Sequence, residues 1–224
     1  MPLGYEEDFK RVAETNLGIF KDLHDNHGVN TIVTSCAGCF RAFKKDYSLA
    51  EEYEEFIDGI EIIHTTDFLF RKFKEGEMKF TKELPWKVTY HDPCHTGRHM
   101  FSYDVDEEGS RQWKGSFVSK SDEDCLFDVP REILHAIPGL EFSEMERIKA
   151  NSYCCGGGGG VMTGYGDWAA KNASLRVQEA LDTGAEKMVS ICPFCHYNLN
   201  EGAKRLKSDM RVFDLVELID QVLE

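Results

Sequence analysis

Seven of the eight cysteines in this chain fall in spacings that suggest shared chemistry. Cys94 lies in HDPCH, the adjacent Cys154 and Cys155 open onto five glycines, and Cys192 and Cys195 form CPFC. Cys36 and Cys39 form a further CxxC, CAGC. Adjacent cysteines rarely bond to each other, and five consecutive glycines lose more backbone freedom on folding than any other run of that length. A site that gathers negative sulfur offsets that cost. Without side chains the loop can pass close to a bulky inorganic group and aim N–H donors at sulfur, as amide nests do for anions. Gly156 and Gly157, directly after the pair, are the candidate donors.

The elements that must position these thiols alternate. Helical periodicity is predicted over Tyr5–His27, Cys36–Tyr47, Thr66–Phe73, Asp167–Thr183, Cys192 onward and Asp214–Leu223. Between them lie short apolar runs, predicted as strands, at Asn30–Ser35, Glu61–Ile63, WKVTYHD, Lys187–Ile191 and Arg211–Phe213. Strand and helix in alternation imply an α/β protein with mainly parallel sheets. Each cysteine group falls where a strand or loop meets a helix start or a glycine turn, where free N–H groups and the helix dipole favour thiolate. Pro193 suits the first turn of such a helix.

A weak internal repeat is visible, with Gly4-Tyr5 ahead of one strand–CxxC unit and Gly164-Tyr165 ahead of the other. Two related modules are expected, 1–82 and 83–224, the first incomplete because its counterpart of Cys155 would fall before Met1. The segment Val105–Asp128, with seven acids against three bases, reads as a solvated insertion. Within it Cys125 reads as a bystander thiol.

Composition bounds the partners. The net charge of −14 argues against a nucleic-acid binder. The acidic start MPLGYEED is unlike a secretory leader, and no apolar run reaches the roughly 18 residues of a membrane span. A cytoplasmic protein is expected, free or at the periphery of a membrane complex, with reduced cysteines acting as metal ligands or redox groups.

One cysteine, then CCG, then 36 residues and a CxxC resembles the cysteine-rich CCG domain of the B-type and D-type catalytic subunits of heterodisulfide reductase. YHDPCHTGR, DVPREILHAIPG and the run Cys154–Val161 also resemble segments of that family, and the first module resembles its later half through VTSCAGCF. The interval from Cys94 to Cys154 is longer than the family's, and removing Val105–Asp128 restores it. The resemblance implies a non-cubane [4Fe-4S] cluster held by Cys94, Cys154, Cys155, Cys192 and Cys195, and an oxidoreductase subunit that reduces a disulfide there. Cys36 and Cys39 would hold a second cluster, or zinc, only with ligands from elsewhere. There is no ferredoxin-type CxxCxxC run, so an iron-sulfur, flavin or cytochrome subunit is expected to deliver electrons.

Two thiol products need protons, and His95 and His196, each beside an implied ligand, are the candidate donors. His91, Arg98 and His99 are candidates for electrostatic tuning or for structural pairing. Other readings stay open. The same cluster could serve a lactate, glycolate, glycerol-3-phosphate or quinone oxidoreductase, and zinc could make the chain a non-catalytic assembly module. CPFC alone would suit a thioredoxin-like pair, which leaves three cysteines unexplained. The glycine run lacks the Lys-Ser/Thr of a P-loop, and GYGDWA fits a dinucleotide fingerprint only loosely.

Overall fold

The computed structural model describes residues 5–50, 53–100, 103–105, 111–113 and 125–223. It is an α/β protein with parallel sheets. Helix α1 (Glu6–His27) carries three acids in its first turn and two histidines in its last, matching its dipole. It stops at Gly28, whose φ of 67° is the left-handed conformation that closes a helix. Then follow β1 (Thr31–Thr34), α2 (Ala37–Lys44), the short α3 (Tyr53–Ile57), β2 (Glu61–His64) and α4 (Thr65–Lys74). β1 and β2 pair in parallel, with Thr31 opposite Glu61 and Thr34 opposite His64.

The larger sheet is built from β3 (Lys87–Tyr90), β6 (Glu141–Phe142), β7 (Lys187–Ser190) and β8 (Arg211–Asp214), in the order β6-β3-β7-β8 and parallel throughout. Its helices are α5 (Val129–Ala136), the one-turn α6 (Val161–Gly164), α7 (Gly166–Leu181), α8 (Pro193–Leu206) and α9 (Leu215–Val222). Alternation along the strands divides the core. Met188 and Val212 join a cluster with Ala173, Val177 and Leu199 of α7 and α8, while Val189 joins Ile133, Leu215 and Leu218 of α5 and α9. The central strands β3 and β7 are fully buried at Val88, Thr89, Tyr90, Met188, Val189 and Ser190.

The two sheets repeat one local plan. β1 ends at Thr34 and Cys36 caps α2, just as β7 ends at Ser190 and Cys192 caps α8. The partner strands also end alike. His64 Nδ1 accepts the N–H of Thr66 to cap α4, and the Asp214 carboxylate accepts that of Val216 to cap α9 in a capping box with Glu217.

The expected solvated excursion is corrected at its end. Cys125, Leu126 and Phe127 are 5–6% exposed, packed into the cores of both sheets. Leu126 donates its N–H to the Thr96 carbonyl at 2.7 Å. Nearer its start, β4 (Tyr103–Val105) and β5 (Arg111–Trp113) pair as an antiparallel ribbon, and 106–110 and 114–124 lie outside the described residues.

Candidate metal centre

Parallel strands deliver the thiols. Cys94 follows β3 and Cys192 follows β7, so adjacent strands end side by side at the carboxyl edge of the sheet, where ligands of open α/β sheets collect. Cys195 lies one turn into α8. Cys94, Cys154, Cys155, Cys192 and Cys195 all line one cavity of about 140 Å³, walled also by Gly158, Gly159 and Gly160. Cys155, Cys192 and Cys195 are buried, whereas Cys154 is exposed and Cys94 partly so. The Cys195 and Cys155 sulfurs lie 3.2 Å apart.

The glycines act as their position suggests. Gly156 N–H points at the Cys154 sulfur at 3.4 Å, and Gly157 N–H at that of Cys155. Gly156 needs to be glycine: its φ is 80°, and a Cβ there would sit 2.5 Å from Asn172 Nδ2.

The thiols share charge unequally. Hydrogen bonds from Cys155 and Cys94, with help from Gly156 N–H, hold Cys154 far below the ordinary thiol range. Donating to Cys154 pushes Cys155 up to about 12. Cys94 is raised by its bond to Cys154 and by burial, and Cys195 by its bonds to Cys155 and Cys192. Cys192 is lowered to about 7, first by Cys195 and then by the N–H groups of Cys195, Phe194 and Ala37. Five thiolates so close repel one another. A multiply charged cationic core would let all five ionise together, and five sulfur donors of this kind match iron–sulfur chemistry better than a four-coordinate zinc.

Ala37 belongs to α2, so the N-terminal unit takes part in this centre. Its Gly38 lines the cavity, and Arg41 Nη1 reaches His95 Nε2 at 3.5 Å. Cys36 and Cys39 are hydrogen-bonded to each other near Cys192, and burial together with the Cys36 charge raises Cys39. Among the described residues they join no third His, Cys or carboxylate within 4.8 Å.

A cleft of about 500 Å³ opens at the Cys94–Cys154 side, lined by Arg41, His95, His99, Trp168 and Asn172. Burial and the Arg41 charge lower His95, and burial and His95 lower His99 to about 4. His196 faces elsewhere, with Nε2 3.9 Å from Glu217 of α9, and lines neither cavity nor cleft.

Sequence reasoning missed the residues that hold the loops. Asn172 Nδ2 donates to the Cys154 carbonyl at 2.9 Å and Asn198 Nδ2 to that of Cys155 at 2.7 Å. Asn198 was signalled by its place three residues after Cys195, on the same helix face. Asp92 pairs with Arg131 through both oxygens, at 2.7 and 2.9 Å, and accepts the Lys149 N–H at 2.8 Å. It thereby ties the Cys94 loop to the segment that leads into Cys154.

A family model described as the CCG cysteine-rich domain matches residues 118–200, a span holding Cys154, Cys155, Cys192 and Cys195. This span resembles a CCG domain. Cys94 precedes the matched span and joins the CCG cysteines through the fold. Among curated relatives, the chain is 40% identical over 216 residues to the D-type subunit of dihydromethanophenazine:CoB--CoM heterodisulfide reductase from Methanosarcina acetivorans, covering 96% of this chain and 45% of that protein. It is 30% identical to the probable iron-sulfur-binding oxidoreductase FadF of Bacillus subtilis, over 98% of this chain and 26% of the relative. Against the B-type subunit of fumarate reductase (CoM/CoB) from Methanothermobacter marburgensis it is 32% identical, over 91% and 36%. The chain thus spans less than half the length of these relatives. Their names describe iron–sulfur and redox proteins, so the CCG match and these relatives support an iron–sulfur cluster. Among the described residues no helix is long and apolar enough to cross a membrane.

Proposed function

We propose that this chain is the cluster-bearing part of an oxidoreductase of heterodisulfide reductase type. In this reading Cys94, Cys154, Cys155, Cys192 and Cys195 hold a non-cubane [4Fe-4S] cluster beside which a disulfide is reduced to two thiols. The observation that carries the proposal is the convergence of these cysteines, from three separated stretches of chain, on one cavity whose exposed side meets an open cleft. When bound, such a cluster supplies electrons one at a time to the disulfide.

The chain's own residues bind and orient the disulfide and stabilise the departing thiolate. Trp168 offers an apolar wall to the cleft and Arg41 a positive charge. A guanidinium only donates, so Arg41 holds His95 Nε2 as acceptor and leaves the proton on Nδ1. His95 is thereby the histidine placed to give an Nδ1–H hydrogen bond to a departing thiolate, which takes its proton from solvent, and His196 is not. Electrons come from an iron-sulfur, flavin or cytochrome partner. The shared plan of β1-α2 and β7-α8 supports reading 1–82 and 83–224 as related modules, with a second cluster or zinc at Cys36 and Cys39 completed by ligands from outside these residues.

A second reading has relatives in its favour: FadF and the fumarate reductase relative are named for other chemistry, so the cluster could pass electrons to another acceptor. Anaerobic protein kept reduced by an excess of reduced viologen dye and mixed with a range of disulfides separates the two. The proposal expects two thiols per disulfide consumed, at least about tenfold slower in His95→Ala and unchanged in His196→Ala, with both variants keeping the cluster spectrum. Protein that releases no thiol from any disulfide yet reduces a quinone analogue supports the second reading instead.

A further inference from the structure

His91 opens the HDPCH run, but its ring takes no part in the function proposed above. It is 1% exposed, and one of its ring nitrogens and the sulfurs of Cys155 and Cys195 all lie within 4.8 Å of one another. Such a group could be taken for a mixed histidine–cysteine metal site. The hydrogen bond at Nδ1 decides against that.

Nδ1 of His91 receives the Nε–H of Arg176 at 3.2 Å. A guanidinium has five donors and no acceptor, so Nδ1 presents its lone pair. Arg176 cannot turn away: it is fully buried, with Nη1 on the Arg147 carbonyl at 2.9 Å and on Glu179 at 2.8 Å, and Nη2 on Ser152 Oγ at 3.1 Å. A neutral imidazole with its lone pair at Nδ1 carries its hydrogen at Nε2, and an Nε2–H has no lone pair with which to ligate a metal. Among the described residues this buried Nε2 has no hydrogen-bond partner.

We propose that His91 is a positioning residue whose Nε2–H donates a hydrogen bond to sulfur at the Cys155–Cys195 corner of the centre, in the tautomer that Arg176 imposes. The inference rests on the cluster reading above. A donor to cluster sulfur stabilises the electron-rich reduced state, so His91 raises the midpoint potential of the centre without binding it.

The test is an EPR-monitored redox titration of the full chain and of His91→Leu and His91→Gln, with iron and sulfide measured on each. Expected is a more negative midpoint in His91→Leu and a return toward the wild-type value in His91→Gln, whose amide can accept from Arg176 and donate to sulfur. An unchanged midpoint in His91→Leu that retains its iron overturns the proposal. Should His91→Leu fail to fold, pulsed EPR on wild-type protein carrying [15N]histidine decides. A weak nitrogen coupling with an exchangeable proton supports a donor, whereas a coupling of directly bound size, or none, overturns it. Wild-type protein without iron and sulfide overturns both this inference and the function it rests on; iron and sulfide without the histidine signature overturn this inference alone.

Discussion

His64 shows how one plan is adapted residue by residue. It occupies the helix-capping place that Asp214 fills in the larger sheet, but as a side chain 2% exposed. Burial lowers its pKa from 6.5 to about 4. Between those values the unfolded chain takes up a proton that the folded one refuses, so stability is complete above about pH 6.5 and falls as pH drops toward about 4. The loss is about 3 kcal/mol. Thermal unfolding across this range should show a shallower acid slope in His64→Asn, which keeps a capping oxygen and does not titrate; an equal slope in the two proteins would exclude His64 as the cause. Residue types and spacing made the thiols legible, because sulfur at CxxC and CCG spacing has few other uses. They hid Asp92, Asn172 and Arg176, whose roles depend on partners 18 to 85 positions away in sequence.

At the scale of elements, the CCG loop is held by the packing of α7 on α8. Asn172 and Asn198, one from each helix, grip the backbone of Cys154 and Cys155. Gly202 permits the close crossing: a Cβ there would lie 2.7 Å from the Ala173 carbonyl carbon and 2.8 Å from its Cβ. Gly202→Ala therefore forces the helices apart and should cost about 2 kcal/mol, read as a lower unfolding midpoint together with weaker metal retention. Unaltered stability would show that the crossing is not tight. The strands that end at cysteines are legible because each is a compact apolar run. By contrast, β6 is two residues long and carries no period, and α5 is too short for its period to stand out, although VPREILHA has a proline at its first turn and buries Ile133 and Leu134. Acidity alone makes Val105–Asp128 look wholly solvated, but the apolar Cys125-Leu126-Phe127 at its end belongs to the core.

Over the whole molecule, the N-terminal unit serves as a wall of the larger unit's centre as well as carrying its own CxxC. Ala37 N–H and Gly38 reach the cavity from α2, a contact between distant sequence segments that no local pattern announces. The chain is acidic overall, yet Arg41 stands at the cleft and Arg98 beside the neighbouring face of Cys94 and Cys154, so positive charge collects where sulfur is exposed. Every functional statement depends on what those sulfurs hold. Anaerobically purified protein, quantified for iron, acid-labile sulfide and zinc, tests this most directly. About four iron and about four sulfide per complete centre are expected, lost when Cys154 and Cys155 are both replaced by serine. One zinc per chain with no sulfide would contradict that expectation.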